Sequence, residues 1–496
     1  MASSGIEPIE LSRVETAVSS SHLPPSTPTT LAESERGPLE LASADLLPPQ
    51  GAKRFEALDS YPDGGAEAWL QVLGCSACLS VCVGAVILLV QGNHGSSTGQ
   101  DALSDLGPGT SWIGSIQAAS TAALAIPCNR LVAAYGPRKI ALIGTVITSA
   151  GPLLGSFCSK SFAGLMVTEG LLFGVGQSLI FFPAATLPSS YFLKRRNLAT
   201  GCTYAGGGIG GAGFSLLSSV LIKRVGIPWA LRVTALVYFA ITLPASYFIK
   251  ARLPRKPLRG GGPAIDWTLF RDARFVFLFC GGAFALFPLF GQSLFCPHFP
   301  TGRAISKIDS CSPFRLTVPP FFLPLYASAL GMSSLSGSLL LAGFNLASAA
   351  GRIGFGLGAD RYLGSLNSQI LCLFVFGVTT FIIWPLATTL TPLVIFAVVN
   401  GTVNGGFFSL MPGSVASLFG TATFSVTFGM ILFSWAPGYC MGAPIAGYIL
   451  EAAGGSKAGY GAFRPAIFYS GALAMVSCAM LTVARVIESR DLKKRV

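Results

Sequence analysis

The chain is short of charge. Asp, Glu, Lys and Arg make up 11% of its 496 residues, against about a quarter in an average soluble protein. Histidine is scarcer still, with three. His22, His94 and His298 stand far apart with no cysteine at ligand spacing, so no metal site is expected. The pattern Gly-x-x-x-x-Gly-Lys-Ser/Thr is absent, and so are acyl-transfer and kinase signatures. ATP-driven transport and catalysis therefore find no support in the residues, and neither an enzyme nor a bound cofactor is expected. The first residues hold no apolar run long enough for a signal peptide. Most of the 12 cysteines sit inside apolar runs, as Cys75, Cys78, Cys82, Cys202, Cys372 and Cys478 do. They read as small helix-facing residues rather than as a disulfide framework.

Apolar side chain fills the space that charge leaves. The hydrophobic share is 51% and mean hydropathy is +0.63. A water-soluble fold has no core large enough to hide so much apolar surface, so the composition is that of an integral membrane protein. Gly 59 and Pro 32 agree, since membrane helices packed on neighbours tolerate both. The net charge of +12 would suggest nucleic acid in a soluble protein. In this chain it reflects basic residues collected in loops on the cytoplasmic side, and the expected partners are the bilayer and a small-molecule solute, not nucleic acid.

Residues 1–60, rich in Ser, Pro, Glu and Thr, read as a disordered cytosolic tail. Beyond them, spans of about 20 apolar residues are expected at 68–90, 111–128, 140–158, 162–187, 198–222 and 230–249. A further set follows at 275–291, 339–359, 368–389, 392–418, 423–450 and 464–487. Residues 318–327 are assigned with 275–290 to the seventh helix. The fold class is thus all-α: twelve transmembrane helices in two six-helix bundles. The halves are 61–249 and 275–487, joined by a basic cytosolic loop, 250–274, and followed by a short cytosolic tail, 488–496. Arg130, Arg138, Lys139, Lys194, Arg195, Arg196 and Arg361 fall on the side of the central loop, which places both termini in the cytosol. Two polar segments, 91–100 and 292–317, have no pattern; each reads either as an external loop or as retained intron sequence.

The halves echo each other. Gly170-x-x-x-Gly174 precedes Phe181-Phe182-Pro183 in the fourth span, and Gly401-x-x-x-Gly405 precedes Phe407-Phe408 and Pro412 in the tenth. Tyr135–Lys139 after the second span matches Asp360–Gly364 after the eighth, each pairing a tight turn with cations. Arg138, Lys139, Asp360 and Arg361 are therefore expected at an inner gate.

A charge inside a span is costly and usually faces a wet cavity or a partner. Arg352 lies well inside the eighth span. It reads either as an anchor for an anionic group or as a side chain snorkelling to the inner surface. Asn345 shares nearly the same face, which makes a polar stripe. Glu169 reads as a carboxylate that exchanges protons or as a residue of the outer interface. In the fifth span Gly206, Gly207, Gly210 and Gly211 let a neighbouring helix approach closely.

These residues resemble a fungal member of the monocarboxylate transporter family, within the major facilitator superfamily. The likeness covers roughly 60–490. It rests on Pro62-Asp63-Gly64-Gly65 with Trp69, on Ser111-Trp112-Ile113-Gly114-Ser115, on the run from Tyr191 to Gly211, on that from Leu340 to Arg361, and on Phe463–Ala466. The resemblance implies alternating access between two bundles, often coupled to protons, with the eighth-helix Arg, here Arg352, on the substrate carboxylate. The chain departs from the animal carriers in having Ser348 where they carry Asp, and Ala133 where the superfamily usually has Asp in the first loop. The expected function is secondary transport of a small anionic, monocarboxylate-like solute, with Arg352, Asn345, Phe407 and Phe408 at the site and Glu169 carrying a proton. Export of a fungal secondary metabolite is the alternative, and a non-transporting nutrient sensor a second one. The plasma membrane is the expected location.

Overall fold

The computed structural model describes residues 63–92, 110–159, 161–252, 265–293, 330, 334–421, 423–454 and 459–489. The tail 1–60, most of 91–100 and 292–317, the segment 318–327 and the middle of the central loop lie outside them.

Twelve helical rods run through the described residues. In the first half they are α1 (Ala66–Gly92), α2 (Thr110–Ala123 continued by Ala125–Tyr135), α3 (Pro137–Gly155) and α4 (Phe162–Tyr191). An unbroken helical run, Arg196–Phe248, then divides at Gly226, whose φ of 74° reverses the chain. Its parts are α5 (196–223) and α6 (Arg224–Phe248). In the second half α7 is Ala273–Ser293, α8 is Ser334–Gly358 extended by a wide turn, Ala359–Leu363, and α9 is Ser365–Leu386. They are followed by α10 (Leu390–Phe419), α11 (Phe424–Ser434 continued by Ala436–Ala452) and α12 (Arg464–Glu488). Seven helices among the described residues are long and apolar enough to cross a membrane.

The repeat read in the sequence is visible in the turns. Gly136 between α2 and α3 has φ 89° and ψ 156°, and Gly364 between α8 and α9 has φ 82° and ψ 167°. Only glycine adopts this left-handed, extended geometry without strain. α2 runs to Tyr135, further than the expected 128, so Arg130 belongs to its last turns and not to a loop. α7 spans Ala273–Ser293; residues 318–327, assigned with it to the seventh helix, lie outside the described residues.

Large apolar side chains on the outer faces are exposed, among them Leu73, Ile143, Val146, Leu236 and Ile395. The interior holds Thr145, Thr148, Gln177, Asn400 and Asn404. Apolar outside and polar inside is the arrangement of a bundle solvated by lipid.

Glycines set how closely the rods approach. A Cβ on Gly206 or Gly210 would overlap the carbonyls of Ser76 and Ser80 on α1. Gly207 and Gly211 are also buried on α5. Between the halves, a Cβ on Gly201 of α5 would overlap the Arg352 carbonyl of α8; within the second half, one on Gly405 of α10 would overlap the Ser348 carbonyl. The backbone around Arg352 is therefore clamped by α5 on one side and α10 on the other.

Candidate functional site

A cavity lies between the halves. α2 supplies Ala118, Thr121, Ala122 and Ala125, and α4 supplies Gln177, Ser178, Phe181 and Phe182. Tyr204 of α5 faces Phe344, Asn345, Ser348 and Arg352 of α8. Asn404 and Phe408 of α10 and Leu432, Trp435 and Tyr439 of α11 close the ring, with Leu79 and Cys82 of α1. The empty space, mouth included, is about 1080 Å³.

Arg352 is the single cation in this wall, and no carboxylate lines the cavity among the described residues. The side chain is 7% exposed. Its Nη1 donates to the Tyr204 carbonyl and its Nε has no protein acceptor. Snorkelling is thereby excluded: the guanidinium lies inside the bundle, aimed across to α5. A buried cation with spare donors is an incomplete site, since an ion out of water needs its charge compensated. The Tyr204 hydroxyl, also buried, lacks a partner too.

The expected companions divide. Asn345 lines the cavity two turns from Arg352, with its Nδ2 on the Leu341 carbonyl at 3.1 Å. Phe408 lines it as well, with its ring 5.6 Å from that of Trp435. Phe407 does not. It is fully buried behind Phe408 and Trp435, with ring centres 5.5 and 6.2 Å away. Successive residues on a helix point about 100° apart, so only one of the pair can face the void.

Glu169 is neither in the cavity nor at the outer interface. It is buried in a wide turn of α4, Met166–Leu172, where the hydrogen bonding loosens by one residue. Its Oε1 has no partner, and Gly155 of α3 makes room for it. Such wide turns often mark functional positions. Nearby on α6, Tyr238 has an unpartnered hydroxyl, and Arg232 donates to Ser156 at 3.1 Å.

Of the four residues expected at a gate, Asp360 alone joins the halves. From the end of α8 its carboxylate accepts from the Asn197 N–H at 3.1 Å, from Asn197 Nδ2 at 2.8 Å and from the Leu198 N–H at 2.8 Å. These amides open α5, so a negative charge meets the positive end of a helix. Asn197 Oδ1 in turn accepts from Ser365 Oγ of α9 at 3.0 Å. Arg138 instead lies over the Tyr247 ring, 3.8 Å from its centre, within the first half. Lys139 and Arg361 are exposed. Asp63, from the motif before α1, accepts from the N–H groups of Leu193 and Lys194 at 2.6 and 2.8 Å. One loop is thus held by Asp63 from its own half and by Asp360 from the other.

Several wall residues were not singled out in the sequence. Gln177 and Asn404 carried a signal, Gln177 as the lone carboxamide of α4 and Asn404 as one of two, with Asn400, in the apolar α10. Tyr204, Trp435 and Tyr439 carried none. Both α2 and α11 break at the level of the cavity, at Leu124 and Trp435, each shortly before a proline, Pro127 and Pro437. The missing N–H groups explain the breaks.

The family model described as Major Facilitator Superfamily matches residues 72–305. The chain is 27% identical over 432 residues to the MFS transporter asaE of Aspergillus flavus, covering 86% of this chain and 89% of that one. It is 28% identical to the fujikurins efflux protein of Gibberella fujikuroi, covering 86% of each. It is also 28% identical to the aspyridones efflux protein apdF of Emericella nidulans, covering 80% of this chain and 74% of that one. Among solved structures, the human organic anion transporter MFSD10 superposes with a TM-score of 0.60 at 14% identity, covering 84% of this chain and 100% of that chain. The Escherichia coli fucose:proton symporter FucP follows at 0.56 and 13%, covering 84% and 98%.

Proposed function

We propose that this multi-pass membrane transporter of the major facilitator fold exports an acidic, largely apolar secondary metabolite, with Arg352 as the anchor for its anionic group. The observation that carries the reading is a lone buried guanidinium in an aromatic-walled cavity that no described carboxylate neutralises. A cation so placed raises the local concentration of anions and penalises cations. The relatives named as efflux proteins for fujikurins and aspyridones favour export over uptake of a lactate-type acid. One further feature agrees: Ser348 stands where proton-coupled lactate carriers have a carboxylate.

Within that reading, a monocarboxylate transporter-like subfamily is supported by Asp63 and its motif, which clasp the loop before α5. The end of the bundle that carries Asp360 also carries Arg138, Lys139, Lys194, Arg195, Arg271, Arg361 and Arg485. By the positive-inside bias this end faces the cytosol, in the plasma membrane for an exporter. Asp360 then holds the inner gate shut through α5. Glu169 takes up and releases a proton behind the cavity wall, acting on the cargo through α4 and not by contact. The test is efflux from vesicles loaded with the organism's own acidic metabolites. The wild type should empty them of at least one acid, and Arg352→Gln should retain it with protein abundance unchanged. Equal efflux by the variant would remove Arg352 from the mechanism.

A further inference from the structure

The cavity is layered along its axis, and the layer beyond Arg352 has a polarity of its own. α4, α8 and α10 all run toward the end of the bundle where Asp360 lies. On α4, Gln177 stands one turn farther from that end than Phe181. On α10, Asn404 stands one turn farther than Phe408. On α8, Asn345 stands two turns farther than Arg352. Three helices thus each place a carboxamide farther from that end than Phe181, Phe408 and Arg352.

These carboxamides are not free to present either end. Asn345 Nδ2 donates to the Leu341 carbonyl at 3.1 Å, and Asn404 Nδ2 donates to the Leu289 carbonyl of α7 at 3.2 Å. Gln177 Nε2 donates to the Cys82 carbonyl of α1, and its Oε1 already accepts from Gln117 Nε2 at 3.0 Å. With an N–H tied to a main-chain carbonyl in each case, the amide oxygens of Asn345 and Asn404 remain as acceptors with no donor among the described residues. Ser178 Oγ beside Gln177 is buried without a partner as well.

We infer that Asn345 and Asn404 form an acceptor layer that selects a hydrogen-bond donor, a hydroxyl or an amide N–H, at the end of the cargo opposite its acidic group. Resting on the proposed function above, this narrows the cargo class. It is an amphiphile with an acid at one end, a flat apolar body against Phe181, Phe408 and Trp435, and a donor at the other end. A site built to bond a donor rejects the analogue that lacks it more strongly than an apolar pocket rejects a change of size, because its buried acceptors are then left unpaired.

Two fluorescent flat acids separate the layers: 6-hydroxy-2-naphthoic acid, which carries the donor, and 6-methoxy-2-naphthoic acid, which does not. Binding to the purified full-length protein in detergent is read by quenching. The wild type should hold the hydroxy acid about tenfold more tightly than the methoxy acid. Asn404→Leu and Asn345→Leu should bring the two acids within about twofold of each other, and the melting point in detergent reports whether each variant is folded. Arg352→Gln should weaken both acids alike. Equal binding of the two acids by the wild type overturns the acceptor layer without touching Arg352, and needs no variant to fold. A tenfold preference that survives in both leucine variants overturns it too. If neither acid binds, or if both bind independently of Arg352, the acid anchor fails and the acceptor layer with it.

Discussion

Replacing Asp360 with Asn should loosen one end of the transporter by a magnitude that the contacts allow to be worked out. The carboxylate accepts three hydrogen bonds at the start of α5, at 2.8, 2.8 and 3.1 Å. A hydrogen bond to a charged group is worth about 1.5–3 kcal/mol net, and a negative charge at a helix N-terminus adds about 0.3–1 kcal/mol. The Asn side chain keeps one acceptor oxygen, so the change forfeits about one charge-assisted bond and the attraction to the helix end. That is about 2–3 kcal/mol across the seam between the halves. At about 1.4 kcal/mol per tenfold, the conformation parted at this end should rise in population by roughly thirty- to a hundredfold. Cys82, buried in the cavity wall, reports the parting. A membrane-impermeant maleimide added to the Asp360 side of oriented vesicles, with peptide-level mass spectrometry, should label it faster by a similar factor. Asp63→Asn is the control, because Asp63 holds the same loop from within the same half; it should leave the labelling rate where it was. Wild-type labelling in Asp360→Asn, or equal acceleration by Asp63→Asn, would refute the assignment of the lock to Asp360.

The two adjacent phenylalanines of α10 should separate cleanly. Phe407→Ala empties a fully buried site and should cost about 3–5 kcal/mol of stability, seen as a lowered melting point in detergent. Phe408→Ala should weaken cargo binding with a smaller loss of stability. At the start of α7, the hydrogen bond from Arg274 holds the Asp272 carboxyl below its ordinary range, and Arg274 also pairs with Glu488 of α12 at 2.5 Å. A carboxyl lowered in the folded state contributes stability above its unfolded value and loses it as pH falls through the folded one. Melting points should therefore drop as pH falls below about 4, and the part due to Asp272 should vanish in Asp272→Asn. Since the pair is about a third exposed, that part should be about 1 kcal/mol or less.

How much of this was legible in the residues varies with the kind of claim. The spans were legible because hydrocarbon thickness and rise per residue fix their length, and Arg352 was legible because a charge inside a span is rare. Asp360 could be read from its place after a helix that repeats the second. The ring of Tyr204, Trp435 and Tyr439 could not, because aromatic side chains are as common toward lipid and core as toward a cavity. The choice of Phe408 over Phe407 depends on the rotation of α10 about its axis. That rotation is set by Gly401 and Gly405 closing on the Phe344 and Ser348 carbonyls of α8, a contact visible only once both helices are in place. The place of Glu169 behind the cavity wall was hidden for the same reason: a carboxylate inside a span is protected, but its position in the sequence does not say which side of its helix meets the void.

The central claim is that Arg352 carries an acidic product out of the cell. The measurement that meets it most directly compares culture medium and cell extract, by mass spectrometry, for strains carrying the gene intact, deleted, or restored as Arg352→Gln. The account predicts one acidic, apolar metabolite that leaves the medium and builds up inside the cells to the same extent in the deleted and the Arg352→Gln strains. A metabolite that moves on deletion but is secreted normally by Arg352→Gln, or one with no acidic group, would contradict it.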